Sequence, residues 1–173
     1  MNDQKSATLL QILKQHTANG IAVAFSGGTD STFLLKILAQ LQQEQFFHLE
    51  ALYMHSIFQT EQELHAVQEL ATEFGVPLKI FSMDPIQEIP EIKNNPPDRC
   101  YFCKKNIFTK FLEYTRQKHI ATLADGTNSE DLNHFRPGLR ALKELSVFSP
   151  LAEAGMTKKD IRQYSAELHL PTA

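Results

Sequence analysis

Cysteine is scarce in this chain: two residues in 173, only three positions apart, at Cys100 and Cys103. Such close neighbours cannot cross-link distant segments, so no disulfide framework holds the fold, and a reduced, cytoplasmic setting is expected. Long apolar runs are also missing. None approaches the length of a membrane span, and the polar start MNDQKS does not read as a signal peptide. Charge of one sign is not in excess either; the formal net charge of −3 offers nucleic acid no general attraction. Internal repeats and low-complexity tracts are absent. With 42% hydrophobic and 21% charged residues, the composition is that of an ordinary globule with one core. A length of 173 residues is short for two comfortable domains. The oligomeric state is left open, a homo-oligomer included.

Two common phosphate motifs are missing as well. No Lys follows a glycine loop in the Walker A manner, and no G-x-G-x-x-G occurs. What is present is IAVAFSGGTDSTFLL, residues 21–35. Ile21, Ala22, Val23, Ala24 and Phe25 predict a strand buried on both faces. The sequence Ser26-Gly27-Gly28-Thr29-Asp30-Ser31-Thr32 then breaks the run. Beyond it, Phe33, Leu34, Leu35, Ile37, Leu38 and Leu41 recur as the apolar side of a helix. Glycines let a ligand approach backbone N–H groups, and a helix start leaves such groups unpaired at its positive end. Together they predict a phosphate site. Ser26, Ser31 and Thr32 add hydroxyl donors. Asp30 would repel a bare polyphosphate, and a Mg²⁺ ion shared between carboxylate and phosphate resolves the conflict; capping the helix is a compatible role.

The remaining chain alternates strands and helices. Strands are expected at 48–56, 78–83, 120–124 and, briefly, at Val147 and Phe148. The first helix carries Leu9, Leu10, Ile12 and Leu13, capped by Asp3 or Ser6 and ended by Gly20. Thr60 with Glu63, and Thr157 with Asp160, form capping-box patterns. Residues 84–98 hold four prolines and no period, so a surface loop is expected there, a lid or a substrate-facing segment. Asp98 can cap the next helix, and Pro137 opens another. The alternation predicts an α/β fold with a doubly wound, parallel five-stranded sheet. Ligands in such sheets sit beyond the carboxyl ends of the strands. The loops at 26–32, 53–56, 84–98 and 125–128 all leave from that edge.

Three further groups have a functional and a structural reading. Asp125-Gly126-Thr127-Asn128 leaves a strand end where a nucleotide would extend, although the same residues can serve a turn alone. Arg136 and Arg140 are four apart at a helix start, near Lys143, and suit an anion or a solvated basic face. Cys100 and Cys103 share a helix face, where an N-terminal position lowers a thiol's pKa. They read as a metal pair, iron–sulfur or zinc, as a redox pair, or as two ordinary thiols. A tetrahedral site needs four ligands, and the seven histidines show no ligand spacing.

SGGTDST resembles the S-G-G-x-D-S-[ST] loop of the PP-loop ATP pyrophosphatases, which split ATP between its α and β phosphates. Taken with NPPDRCYFCK from Asn95, DGTN from Asp125, RPGLR from Arg136, SPL from Ser149 and TKKDIR from Thr157, the pattern is similar to one branch, the LarE family of ATP-dependent sacrificial sulfur transferases. These motifs run in family order over nearly the whole chain. The resemblance implies an adenine nucleotide alpha hydrolase-like fold over residues 1–173. It implies ATP and Mg²⁺ at Ser26, Gly27, Gly28, Thr29, Asp30, Ser31 and Thr32, with Asp30 and Ser31 catalytic and Asp125, Thr127, Arg136 and Arg140 also on the nucleotide. It further implies adenylylation of a carboxylated pyridinium mononucleotide, a precursor of a nickel-pincer cofactor, followed by sulfur transfer. Family members carry a sulfur-donating cysteine and a smaller C-terminal domain after a stretch like Leu170-Pro171-Thr172; some hold an iron–sulfur cluster. The expectation here is a chain that ends before that cysteine and domain, binds ATP and lacks its own sulfur donor. Alternatives that keep the loop are an enzyme acting on tRNA or a nucleobase, and a non-catalytic ATP-binding module.

Overall fold

The computed structural model describes residues 4–133 and 137–172. Its elements run α1 (Gln4–His16), β1 (Ile21–Ala24), α2 (Thr29–Glu44), β2 (Leu49–Ser56), α3 (Glu61–Glu73), β3 (Leu78–Met83), α4 (Pro85–Glu88), α5 (Arg99–Gln117), β4 (Thr122–Ala124), α6 (Pro137–Glu144), α7 (Pro150–Glu153) and α8 (Lys158–Glu167). Single 3₁₀ turns lie at Pro90–Ile92 and Asp131–Asn133. All strand pairings are parallel, in the order β3-β2-β1-β4. The chain thus steps outward from β1 to β3, then crosses back to place β4 on the other side of β1. The carboxyl ends of β1 and β4 flank the point where strand order reverses, the place where open α/β sheets take ligands.

Burial on both faces follows from the alternation along β1. Ile21, Val23 and Phe25 enter one core with Leu9 and Leu13 of α1, Leu34 and Leu38 of α2, and Ile161 and Tyr164 of α8. Ala22 enters the other with Leu52, Met54, Phe108, Phe111 and Leu142. Because both faces of β1 are covered, the strand reads as one continuous apolar run rather than an alternating one. No helix among the described residues is long and apolar enough to cross a membrane.

Several expectations need correction. The sheet has four strands, not five. Phe148 makes a single parallel bridge to Ala124, donating its N–H to Leu123 O and accepting from Asp125 N. Pro150 then opens α7, and without an N–H it cannot carry a ladder onward. Helix α2 begins at Thr29, so 29–32 form its first turn rather than a break before it. Ser6 lies buried inside α1 and is not its cap, and Asp3 is outside the described residues. The 84–98 segment is not all loop. Asp84 accepts from the N–H groups of Ile86 and Gln87, capping α4, and Ile89 and Ile92 are buried in the second core. Asp98 makes no side-chain cap at α5.

Helix α8 is held by a reciprocal capping box. Thr157 Oγ1 accepts from Asp160 N at 3.2 Å, and the Asp160 carboxylate accepts from Thr157 N at 2.9 Å. Lys5 of α1 adds an ion pair to Asp160 at 2.5 Å. Burial opposes the carboxylate's charge, but the bonds from Lys5 and Thr157 outweigh it and hold the Asp160 carboxyl at about 2, against 3.8 unperturbed. A depressed folded pKa contributes stability that is complete above about pH 4 and lost as pH falls toward 2. Lys5→Met is therefore expected to melt below wild type at pH 6, with the gap closing by about pH 2. Thermal unfolding across that range checks it.

Candidate active site

At the end of β1 the chain turns through Ser26, Gly27 and Gly28 into α2. Gly27 has φ +76°, and a Cβ there would lie 2.7 Å from Val67 Cγ2, so both conformation and space demand glycine. The turn is bound to the helix by its own hydroxyls. Ser31 Oγ donates to Gly28 O at 3.1 Å and accepts from Ser26 N at 3.3 Å; Gly28 N donates to Ser26 Oγ at 3.3 Å. Thr32 N makes the first intrahelical bond, to Gly28 O at 2.9 Å. The N–H groups of Thr29, Asp30 and Ser31 precede it and have no acceptor within the helix. Unlike α3 and α8, which start with capping boxes, α2 starts on Gly28 with no side-chain cap. A helix start of this kind can receive an anion on its first-turn N–H groups.

The loop after β4 packs directly on this turn. A Cβ on Gly126 would lie 2.8 Å from Ser31 N and 3.1 Å from its Cα. Asn128 is fully buried, and its Nδ2 donates to Asp30 Oδ2 at 2.9 Å. Its Oδ1 accepts from the N–H groups of Glu130 and Asp131, at 3.0 and 3.1 Å. One amide side chain therefore pins the Asp30 carboxylate to the loop at the far side of the switch point. Asp125 is buried, with Ser149 Oγ donating to one carboxylate oxygen at 2.6 Å and Thr127 Oγ1 to the other.

Between these loops lies a cleft of about 600 Å³, the size of a small-molecule site. Ser26, Gly28, Thr29, Asp30 and Ser31 form one side, with Asp125, Gly126, Thr127 and Asp131 beside them. Leu52, Met54, Ile107, Phe108 and Phe111 make an apolar wall. Lys104 from α5 and Lys158 and Arg162 from α8 supply positive charge; Lys158 Nζ is 3.9 Å from Asp131 Oδ1. Burial raises the Asp30 pKa most. Asp131 raises it further, while the Asn128 hydrogen bond and the charges of Lys158 and Arg162 act against the rise. Acidic side chains of Asp30, Glu63, Asp125 and Asp131 thus share the cleft with the cations of Lys104, Lys158 and Arg162.

Most residues named from the sequence meet here: Ser26, Gly28, Thr29, Asp30, Ser31, Asp125 and Thr127 border the cleft. Gly27 shapes the turn, and Thr32 is buried behind it. Arg136 lies outside the described residues. Arg140 is not brought to the cleft; its guanidinium sits 3.7 Å from the Tyr101 ring centre, with Asp98 at 3.8 Å and Glu144 at 3.6 Å. Cys100 is exposed and Cys103 half-buried. Burial pushes the Cys103 thiol up, with Arg99 only partly opposing, contrary to the lowering expected at a helix start. Among the described residues no group of three His, Cys, Asp or Glu is placed to hold a metal ion, so the cysteine pair gains no further ligand there. The sequence reading missed Asn128 as a positioning residue, and Lys104, Lys158 and Arg162 as cleft residues. Lys158 and Arg162 are four apart in the first turns of a capped helix, a signal for one shared face.

Residues 1–95 match the family model of a PP-loop domain. Over 166 residues the chain is 34% identical to pyridinium-3,5-bisthiocarboxylic acid mononucleotide synthase of Lactiplantibacillus plantarum, a match covering 96% of this chain and 58% of that protein. The chain spans about half the length of the curated relatives it matches. Among solved structures, NMN synthetase from Francisella tularensis superposes with a TM-score of 0.69 at 14% identity, over 97% of this chain and 68% of that one. U34-tRNA thiolase NcsA from Methanococcus maripaludis, solved with its 4Fe–4S cluster, superposes with a TM-score of 0.66 at 18% identity, over 96% and 63%. At these identities the solved structures share the fold.

At Gly126 the nearest neighbours of an added Cβ are all backbone, at 2.8–3.2 Å. Gly126→Ala is expected to destabilise the protein by about 1–3 kcal/mol, since backbone rather than a flexible side chain must move. Urea unfolding of the variant against wild type checks it.

Proposed function

The chain belongs to the PP-loop domain family, and on that premise we propose that it binds ATP in this cleft and transfers AMP to a substrate carboxylate. The observation that carries the reading is the uncapped first turn of α2, aimed into a cleft whose other charges are arranged around it. The N–H groups of Thr29, Asp30 and Ser31 hold the departing diphosphate, and Lys158 and Arg162 add fixed positive charge on the same side. Adenine lies against the apolar wall of Leu52, Met54, Phe108 and Phe111. A substrate carboxylate oxygen attacks the α phosphorus in line; the bond to the β-phosphate oxygen breaks and pyrophosphate leaves. Fixed donors and cations stabilise the charge that collects on it without reorganising.

Asp30 fits a Mg²⁺ ion. Its carboxylate is steadied by Asn128 and raised in pKa chiefly by burial, with Asp131 adding to the rise, and this cation binds through one or two carboxylates plus phosphate oxygens. When bound, Mg²⁺ would neutralise charge on the phosphates. The acceptor in this reading is a carboxylated pyridinium mononucleotide, supported by the likeness to the bisthiocarboxylic acid mononucleotide synthase. In the second step a sulfur nucleophile attacks the acyl carbon and AMP leaves. Neither Cys100 nor Cys103 lines the cleft, so the adenylylating half-reaction is the one these residues support.

ATP–pyrophosphate exchange tests the first step. Gly28 has an ordinary φ of −75°, so Asp fits there and makes a good helix cap. Gly28→Asp is expected to fold at least as stably as wild type yet lose exchange by a hundredfold or more, on the order of one lost oxyanion donor or greater, because its carboxylate takes the N–H groups meant for phosphate. Asp30→Ala should also abolish exchange. Normal exchange in both variants would remove the assignment. Nucleotide binding without pyrophosphate release on any carboxylate would instead mark a binding module.

A further inference from the structure

Thr29 stands at the first position of α2 and borders the cleft, yet its hydroxyl is engaged elsewhere. Oγ1 donates to the carbonyl of Thr172, 143 residues away in sequence, at 2.5 Å. The path that brings Thr172 there is set by the end of α8. His169 takes a left-handed φ of +55°, Leu170 N donates back to Ser165 O at 2.9 Å, and the Leu170 side chain is buried in the first core. Pro171 and Thr172 then run onto the start of α2. The seat is incomplete, because Thr172 Oγ1 is buried with no hydrogen-bond partner, and buried hydroxyls are rarely left so. Beyond Leu170 the segment is held by the bond from Thr29 and penalised by the missing partner of Thr172 Oγ1.

A threonine hydroxyl has one proton to donate. While Thr29 gives it to Thr172, it cannot give it to a phosphate oxygen at the same turn. We propose that Thr29 is a latch that exchanges these partners: it holds residues 170–172 on α2 when the loop is empty and releases them when diphosphate occupies it. This rests on the phosphate-loop reading above. By linkage, whatever frees the segment must strengthen diphosphate binding by the same factor as diphosphate loosens the segment. One hydroxyl hydrogen bond sets the scale, about three- to tenfold. Thr29 is thus a positioning residue for the segment after α8 and a ligand contact in turn.

Amide hydrogen exchange of residues 168–172 tests this, with inorganic pyrophosphate and magnesium as the probe and calorimetry to confirm occupancy. In the intact protein, saturating pyrophosphate should speed exchange of that peptide about three- to tenfold. In Thr29→Val, which keeps the shape but not the proton, exchange should be fast from the outset and indifferent to pyrophosphate. Thr29→Ser should restore the response. Bound pyrophosphate with unchanged exchange in the intact protein, or an undiminished response in Thr29→Val, overturns the latch and leaves the phosphate loop standing. No pyrophosphate binding by the intact protein overturns both.

Discussion

The site depends on one junction: the loop after β4 lies against the first turn of α2, and Asn128 bonds to Asp30 across it. Parallel pairing of β1 with β4 brings the two strand ends side by side. Gly126 then allows backbone to touch backbone, and Asn128 converts that contact into a fixed orientation for the carboxylate. Without the junction, the helix start and the acidic loop would be two separate surface features. With it they form one cleft, lined by the N–H groups that have no acceptor within α2 and by side chains of both charges.

The charge arrangement follows from that geometry. Burying Asp30 near Asp131 disfavours its ionised form, and the cations from α8 recover part of the cost. A ligand carrying phosphate and a divalent cation would satisfy the donors and the carboxylates together. Helix α2 lacks a side-chain cap, as do α5 and α7, while α3 and α8 have complete capping boxes. A cap on α2 would stabilise the helix by about 1 kcal/mol and fill the place that the proposed function gives to phosphate.

Much of this was legible from short-range patterns. The buried strand, the glycine turn and the helix after it are dictated by apolar runs and by conformations that few residues adopt, so residues 21–41 were placed within a few positions. The capping boxes at Thr60 and Thr157 read correctly because both partners lie within one turn. Errors arose where local chemistry gave way to longer-range contacts. Val147 and Phe148 have strand character, but Pro150 ends the pairing after one bridge. Asp98 had the chemistry of a cap, yet its side chain makes no cap bond and its carboxylate lies 3.8 Å from Arg140. Arg140 itself is exposed over Tyr101 rather than turned to an anion.

The main alternation of strands and helices, the glycine turn between strand and helix at residues 21–41, and the α/β class came from the sequence alone, because each rests on periodicity or backbone preference over a few residues. Which loops meet was decided only by the tertiary structure. Sheet order places β4 beside β1, which sets Asn128 on Asp30, and the packing of α8 against α2 brings Lys158 and Arg162 to the cleft and Thr172 to Thr29. These partners are separated by about a hundred residues or more, and no local pattern encodes a contact that exists only once the core has closed.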